Sequence, residues 1–486
     1  MKLRELLKGV EILYATADMD REIASVSYDS RKAGPDSLFV AMTGYAVDGH
    51  DFIPQAYQNG ACAAVCEREP ADGVPYVRVG DSRAALAVIA ANFYGHPADK
   101  MTMIGVTGTN GKTTTTYLLK AILERQPGTK VGLVGTNQNM IGDEIIPTER
   151  TTPESFELQK LFAQMRDSGC THVVMEVSSH ALYLKRVYGV RYQVGIFTNL
   201  TQDHLDFHKT MDAYCDAKAI LFRNCVKGIV NADDPWTPRL LRGSTCQPFT
   251  FGRSANADLR AENVELAADH IAFTAVTPRA ITPVRVNIPG AFMVYNALDA
   301  LAAAIQLGVP IEKAADALRD VPHVKGRVEV VPTPGKDYTV LIDYAHTPDG
   351  LRNVLTSVKG FAKGRTIALF GCGGDRDKSK RPQMGKIAVD NADFVVVTTD
   401  NPRTEAPSAI IADILPGTRG TSTPVAVIEN RVDAIHYCMD HARPDDVIVL
   451  CGKGHETYQE IGRTKYPMDE RQIVSEYLST AGTRTL

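Results

Sequence analysis

Lys112 and Thr113 stand in the run Thr107-Gly108-Thr109-Asn110-Gly111-Lys112-Thr113-Thr114, which follows the apolar Met103-Ile104-Gly105-Val106 and opens a helical stretch from Thr115 to Leu123. A strand, a glycine-bearing turn and a helix start together aim backbone N–H groups at one point, and that point suits a polyphosphate. Lys112 would reach the terminal phosphates and the Thr113 hydroxyl would face Mg²⁺. The loop departs from the usual P-loop, which would place glycine where this chain has Val106. Nucleoside triphosphate binding follows from these residues; the use made of the hydrolysis energy does not.

Further along, Val173-Val174-Met175-Glu176-Val177-Ser178-Ser179-His180 ends an apolar strand in an acid. Beside a phosphate loop that is where a Mg²⁺ ligand belongs, the alternative being a carboxylate that caps the next helix. Asp203, His204, Asp206 and His208 put two aspartates and two histidines within six residues. They could build a second metal site or serve as hydrogen-bonded structural groups. Asn231-Ala232-Asp233-Asp234-Pro235 reads as turn chemistry. Lys218, within Ala217-Lys218-Ala219-Ile220-Leu221-Phe222, reads as a solvated lysine on a helix face.

Three more loops combine glycine with charge: Gly371-Cys372-Gly373-Gly374-Asp375-Arg376-Asp377-Lys378, Asp400-Asn401-Pro402-Arg403 and Gly452-Lys453-Gly454-His455-Glu456. Arginine suits carboxylates in bidentate geometry, and Asp and Glu suit an ammonium. Together they describe a pocket for an amino acid bearing charges of both signs, unless each loop merely caps its own helix.

The elements that must hold these residues fall into three segments. The chain has 486 residues, 44% hydrophobic and 23% charged, the profile of a globular protein of about three domains. Up to about residue 98 it shows short β-rich runs, Ser37 to Met42 and Val74 to Val79, then an alanine-rich helical pattern from Ser82 to Tyr94 and a break at Gly95-His96-Pro97. The second segment alternates strands (Ile104 to Val106, His172 to Val177, Gln193 to Phe197, Lys227 to Val230) with helical patterns, and a helix from Val294 to Leu307 closes it. That alternation predicts a parallel sheet covered by helices. A joint is expected at Val321 to Arg327. In the third segment Tyr338 to Ile342, Thr366 to Phe370, Phe394 to Thr398 and Val447 to Leu450 are strands that lead into polar loops. Ligands of parallel sheets gather outside the carboxyl ends of the strands, so these loops are expected to share one site.

A formal net charge of -4 gives no general basic field and does not favour nucleic acid. No apolar run approaches the roughly 18 residues of a spanning helix, and Met1 to Lys8 is charged and amphipathic with no signal-peptide core behind it. The nine cysteines are scattered, and Cys62 and Cys66 lie in a small-residue packing segment. A cytoplasmic protein is expected.

These residues resemble the Mur ligase family of ATP-dependent amide-forming enzymes. Thr107 to Thr114 is similar to that family's Gly-Thr-Asn-Gly-Lys-Thr loop, including its departure from the standard P-loop. Glu176 to Leu182, Thr198 to Asp206 and Asp343-Tyr344-Ala345-His346-Thr347-Pro348 look like its signatures, and the likeness covers nearly the whole chain. The resemblance implies an α/β fold of three domains. These are a small N-terminal α/β domain for the uridine nucleotide UDP-MurNAc (1–98), a central P-loop-type parallel sheet with helices for ATP (99–323), and a C-terminal Rossmann-like α/β domain for the amino acid (324–486). It is strongest to members that add the third residue of the peptidoglycan stem peptide. That implies addition of meso-2,6-diaminopimelate to UDP-MurNAc-L-Ala-D-Glu through an acyl phosphate, by a cytoplasmic monomer with neither nucleic acid nor membrane as partner. A lysine-adding member or a folylpolyglutamate synthetase is the neighbouring reading. A switch or motor ATPase, from another class, would leave the three charged loops unexplained.

The resemblance also implies residue roles. Lys112, Glu176, His204 and Lys218 would be catalytic. Gly108, Thr109, Asn110, Gly111, Lys112, Thr113, Thr114, Asn296, Arg327 and Asp343 would bind ATP. Thr113 and Glu176 would hold one Mg²⁺, and Glu176, His204 and Lys218 as its carbamate (N6-carboxylysine) a second, which reverses the solvated reading of Lys218. Asp29-Ser30-Arg31, and Tyr45 to Val47 before Asp48-Gly49-His50, resemble uridine-nucleotide loops, with Ser30 as a contact. Thr151, Thr152, Ser178 and Arg186 match muramoyl-dipeptide contacts, while Leu184 stands where relatives can carry glutamine. Asp400, Asn401, Pro402 and Arg403 match the diaminopimelate-adding form, with Arg376, Gly452 and Glu456 as further contacts. Diaminopimelate has a second carboxylate and lysine has none, so only the former gives this arginine a partner.

Overall fold

The computed structural model describes residues 1–44, 47–71, 73–148, 150–267, 269–321 and 324–481. Two compact units divide it: Met1–Thr107, Gly128–Gly195 and Ile220–Val226 in one, and Gly108–Pro127, Ile196–Ala219 and everything from Lys227 onward in the other.

In the first unit a five-stranded sheet takes the order Ile12–Ala15, Tyr76–Val79, Ala61–Cys66, Ser37–Val40, Ser25–Ser27. Its first pair is antiparallel and the other three are parallel. The alanine-rich pattern forms helix Ser82–Phe93, whose first turn is capped by the Asp81 side chain accepting from Ala84 N. Leu86 and Ile89 of that helix pack on Leu38, Val40, Val65 and Val77. Cys66 is buried in its strand, and the nine cysteines are all free thiols.

The central sheet has eleven strands and is mixed rather than parallel. In the first unit, Thr102–Thr107, His172–Glu176 and Val131–Val134 run parallel, and Asn139–Ile141 and Glu144–Ile146 add antiparallel strands. In the second, Gln247–Gly252 pairs in parallel with its neighbours, and Leu259–Leu266, Ile271–Val276 and Ile281–Val286 form an antiparallel meander. The meander adds antiparallel strands to the parallel ones that the sequence predicts. Ile281–Val286 buries every second residue, as a strand with one wet face does, and so lacks the continuous apolar run expected of a parallel strand. The phosphate-loop helix spans Lys112–Glu124, three residues earlier than the expected start at Thr115; β-branched Thr113 and Thr114 are weak helix formers, which hides the first turn in the sequence.

Six strands form the C-terminal sheet in the order Glu329–Val331, Thr339–Asp343, Val447–Cys451, Thr366–Phe370, Phe394–Val397, Val425–Val427. All pairs but the first are parallel. Helices Pro348–Lys359 and Lys380–Asn391 cover one face through Leu351, Leu355, Met384 and Ile387. Arg431–Asp440 and Glu470–Ala481 cover the other through Ile435, Met439, Ile473 and Val474. With both faces covered, every residue of Thr366–Phe370 and Val447–Cys451 is buried, which explains their unbroken apolar runs. Among the described residues no helix is long and apolar enough to cross a membrane. Of the expected joint, Pro322 and His323 lie outside the described residues.

Candidate active site

The phosphate loop is strapped in place by the segment after strand Tyr192–Phe197. Thr109 N donates to Asn199 O at 2.9 Å and Asn110 N to Asn199 Oδ1 at 3.0 Å, while Thr198 Oγ1 donates to Asn110 O at 2.6 Å. Thr109 Oγ1 donates to Thr201 O at 3.1 Å and accepts from Thr201 N at 3.0 Å. The strap approaches so closely that a Cβ at Gly108 would run into Thr198 Oγ1. Lys112 Nζ donates to Gly108 O at 2.9 Å and Thr109 O at 2.8 Å.

Lys218 Nζ donates to the same Gly108 oxygen at 2.8 Å and sits 4.4 Å over the Tyr214 ring. Its side chain is 1% exposed, so the residue-level expectation of a solvated lysine is corrected. Burial, and then the neighbouring Lys112 charge, hold its amine well below the usual lysine pKa.

Arg327 Nη2 donates to Thr113 Oγ1 at 3.0 Å, and its guanidinium lies 4.9 Å from the Tyr344 ring centre. Asp343 accepts from Val328 N and Ala345 N, each at 2.8 Å. Burial raises its pKa against the pull of Arg327. Asn110, Gly111, Thr114, Asn296, Arg327 and Asp343 all line one cavity of about 520 Å³. Asp233 and Asp234 line it too, and both are tied up in turns: Asp233 accepts from Arg253 N and Asp234 from Leu200 N.

The histidine–aspartate run does not form the four-residue metal site that was one of its readings. Asp206 is exposed and His208 stacks on Tyr214, with ring centres 5.1 Å apart. Among the described residues no group of three or more His, Cys, Asp or Glu side chains is arranged to hold a metal ion. Asp203 instead gathers three bases: His204 Nε2 at 3.3 Å, Lys380 Nζ at 3.5 Å and His346 Nε2 at 4.0 Å. Burial pushes the Asp203 carboxyl up, but these three together hold it well below the usual range.

In the first unit, Glu176 lies in register with Val106 on the strand that feeds the phosphate loop, and it is 1% exposed. Its two oxygens accept from Thr136 N at 2.8 Å and Thr136 Oγ1 at 2.9 Å. It caps no helix; Ser178 does that, accepting from Ala181 N. Thr136 Oγ1 lies 3.0 Å from Thr151 Oγ1, Thr152 Oγ1 donates to Glu176 O at 2.9 Å, and Ser178 N donates to Thr152 Oγ1 at 3.2 Å. Arg186 donates to Thr152 O and to Glu154 Oε2, each at 3.2 Å. Thus Thr151, Thr152, Glu176, Ser178 and Arg186 form one network. Ser30 donates to Gln55 Oε1 at 2.8 Å, and Leu184 ends helix Ser179–Tyr183. Tyr45 and Ala46 lie outside the described residues.

The C-terminal loops are knitted to one another rather than each to its own helix. Asn401 Oδ1 accepts from Lys453 Nζ at 2.7 Å and Glu460 N at 2.9 Å, and Asn401 Nδ2 donates to Glu456 Oε2 at 2.9 Å. Arg403 Nε donates to Glu460 Oε2 and its Nη1 to Gly374 O, both at 2.9 Å. Gly452 has φ +111, and a Cβ there would collide with Asp400 Oδ2, a buried oxygen with no hydrogen-bond partner. Arg376 is exposed and donates to Asp375 O at 3.0 Å. Pro402 is buried between Asn401 and Arg403.

Three family models match this chain: Mur ligase family, catalytic domain, over residues 22–94; Mur ligase middle domain over 106–304; and Mur ligase, glutamate ligase domain, over 326–454. The chain belongs to the Mur ligase family. This Mur ligase is 48% identical over 481 residues to UDP-N-acetylmuramoyl-L-alanyl-D-glutamate--2,6-diaminopimelate ligase 1 of Clostridium acetobutylicum, covering 98% of this chain and 99% of that one. It is also 48% identical over 482 residues to the ligase of that name from Caldanaerobacter subterraneus subsp. tengcongensis, with 99% of both chains covered. A solved structure of UDP-N-acetylmuramoyl-L-alanyl-D-glutamate--2,6-diaminopimelate ligase is similar at a TM-score of 0.70 and 30% identity over 99% of each chain.

Several residues of this Mur ligase's networks escaped the sequence reading. Thr136 and Glu154 lie 40 and 32 positions from their partners Glu176 and Arg186, and Lys380 lies 177 from Asp203. No local pattern marks them. Lys453 stood inside a motif already singled out, but its bond to Asn401, 52 positions away, has no local mark.

Proposed function

We propose that this Mur ligase joins meso-2,6-diaminopimelate to UDP-MurNAc-L-Ala-D-Glu with ATP as the energy source, a step in building peptidoglycan. Residues 1–98 bind the uridine nucleotide, 99–323 bind ATP and 324–486 bind the amino acid. The enzyme works in the cytoplasm as a monomer, with neither nucleic acid nor membrane as partner. The observation that carries the reading is the charge pattern of the C-terminal loops. The Arg403 guanidinium and the unpartnered Asp400 carboxylate oxygen suit an amino acid with an extra carboxylate and an extra ammonium.

The D-glutamyl γ-carboxylate oxygen attacks the γ-phosphorus of ATP, the bond to ADP breaks, and an acyl phosphate forms. The amino nitrogen of diaminopimelate then attacks the acyl carbon, phosphate leaves, and an amide and a proton are released. Lys112, now on two loop carbonyls, turns to the transferring phosphoryl group and offsets its charge. Arg327, Asn296 and Asp343 hold the nucleotide in the cavity they line. Thr151, Thr152, Ser178 and Arg186 orient the muramoyl-dipeptide, and Ser30 contacts its uridine end. Arg376, Gly452 and Glu456 complete the diaminopimelate contacts, and excluding water protects the acyl phosphate.

Thr113, Glu176, His204 and Lys218 as a carbamate would hold Mg²⁺, which neutralises charge on the phosphates when bound. The residue types suit these groups, with oxygen and nitrogen donors for a hard cation and a buried lysine for the carbamate. Glu176 is a buried carboxylate whose two oxygens each accept from Thr136, and carboxylate oxygen is the donor that a hard cation takes. Burial lowers the Lys218 pKa and so eases loss of its proton, and the free amine is the form that adds carbon dioxide. Carbamylation would also set an anionic group beside Lys112, which shares the Gly108 carbonyl with Lys218.

Phosphate release measured with ATP, the uridine-nucleotide dipeptide and an amino acid panel tests the reading. Release should require both the dipeptide and diaminopimelate. Equal use of lysine would overturn the amino acid assignment, and turnover without any acceptor would overturn the ligase reading.

A further inference from the structure

Beneath the amino-acid loops lies a buried ion pair that none of the motifs contains. Arg431 opens helix Arg431–Asp440 and Glu470 opens helix Glu470–Ala481; their side chains are each 1% exposed and meet at 2.8 Å. Arg431 Nη2 also donates to Cys451 O at 2.7 Å, and Nη1 to Thr399 O at 3.4 Å. Cys451 immediately precedes Gly452, and Thr399 immediately precedes Asp400. The strands that end there, Val447–Cys451 and Phe394–Val397, are not neighbours, because Thr366–Phe370 runs between them. One guanidinium therefore bridges two strand ends across a third. The helix that carries it is fixed to the same place: Glu429 O accepts from Thr399 Oγ1 at 2.6 Å, and Asn430 caps the helix through Val432 N.

A buried ion pair is a poor device for stability alone, since apolar residues of similar volume serve as well or better. An apolar pair cannot hold two carbonyls at a fixed separation, and a lysine lacks the planar fork that does. Those carbonyls set how Gly452 faces Asp400, whose Oδ2 is left without a partner.

We propose that Arg431 and Glu470 are positioning residues for the amino acid substrate: by fixing the spacing of the Asp400 and Gly452 loops, the pair sets affinity for the amino acid and not for ATP. This rests on the function proposed above. The full chain carrying Arg431→Met with Glu470→Met separates positioning from stability. The double variant should melt close to wild type, while KM for the amino acid rises about tenfold or more and KM for ATP stays within about twofold. An unchanged amino acid KM, or an ATP KM that rises in parallel, overturns the inference. If the double variant does not fold, Glu470→Gln, which keeps the shape and an acceptor for Arg431, should show a smaller rise in the same KM; no rise overturns it. All values are read with whichever amino acid the wild type accepts. Preference for lysine would then refute the diaminopimelate assignment alone, and a wild type that accepts no amino acid refutes both.

Discussion

At the amino ends of the C-terminal strands, Asp446 accepts from Arg365 Nη2 at 2.6 Å and from the backbone N–H groups of Arg365 and Arg443, each at 2.8 Å. At the carboxyl ends of the same sheet, Glu470 accepts from Arg431, but its Oε2 has no partner, nor has Asp400 Oδ2 or His455 Nδ1. The amino ends leave only neutral hydroxyls unsatisfied among the described residues nearby, Thr366 Oγ1 and Tyr338 Oη. Both ends thus use an arginine–carboxylate pair to tie strand ends together. One end is electrostatically closed, and the other keeps charged and titratable atoms in reserve. Buried polar atoms without partners are costly and rare, and a binding site is where that cost has a use.

This difference predicts opposite responses to similar substitutions. Arg365→Met should cost about 3 kcal/mol of stability by leaving Asp446 buried without its cation, yet leave every KM unchanged. Thermal melts and steady-state kinetics check both halves, and a raised amino acid KM would erase the contrast between the ends. Arg403→Ala should do the reverse. Loss of a charge-assisted contact should raise KM for diaminopimelate roughly ten- to a hundredfold, with KM for ATP and the melting temperature nearly constant. An unchanged ratio of the two KM values would remove Arg403 from the site.

Much of this architecture was legible because local patterns carried it. Thr366–Phe370 and Val447–Cys451 are apolar throughout since both their faces are covered, and each runs straight into a glycine-rich or charged loop. What stayed hidden depends on chain segments far apart. Lys218 looks like any helix-face lysine until Gly108, 110 positions away, supplies its acceptor and Tyr214 its cover. Asp203 reads as one acid of a metal cluster until Lys380 and His346 arrive from the C-terminal segment. Arg431 is an arginine opening a helix, usually a solvated position, and its partner Glu470 is 39 residues on. The meander from Leu259 to Val286 was missed for a different reason: its alternation is interrupted by charge and by Pro283.

The smallest predicted effect is a pH dependence confined to the carboxyl end. Burial, with the charges of Arg327, Lys325, Arg471 and Lys453 added, pushes His455 down to about 3. A histidine held neutral in the fold contributes stability above its ordinary pKa near 6.5, and that contribution is lost as pH falls toward the folded value. The full slope is about 1.4 kcal/mol per pH unit. Asp446 behaves otherwise: burial pushes it up, but Arg365 and the backbone donors hold it below the usual carboxylate range, so its contribution persists until far more acid conditions. Between pH 6.5 and 5 the carboxyl end alone should therefore weaken. Thermal melts of the wild type and of His455→Gln across that window measure it, since glutamine fills the space without titrating. The wild type should lose roughly 1 kcal/mol more than the variant by pH 5.5. Parallel loss in both proteins would mean that His455 is already paired or solvated, and the reserve of unsatisfied groups at the carboxyl end would shrink to the two carboxylates.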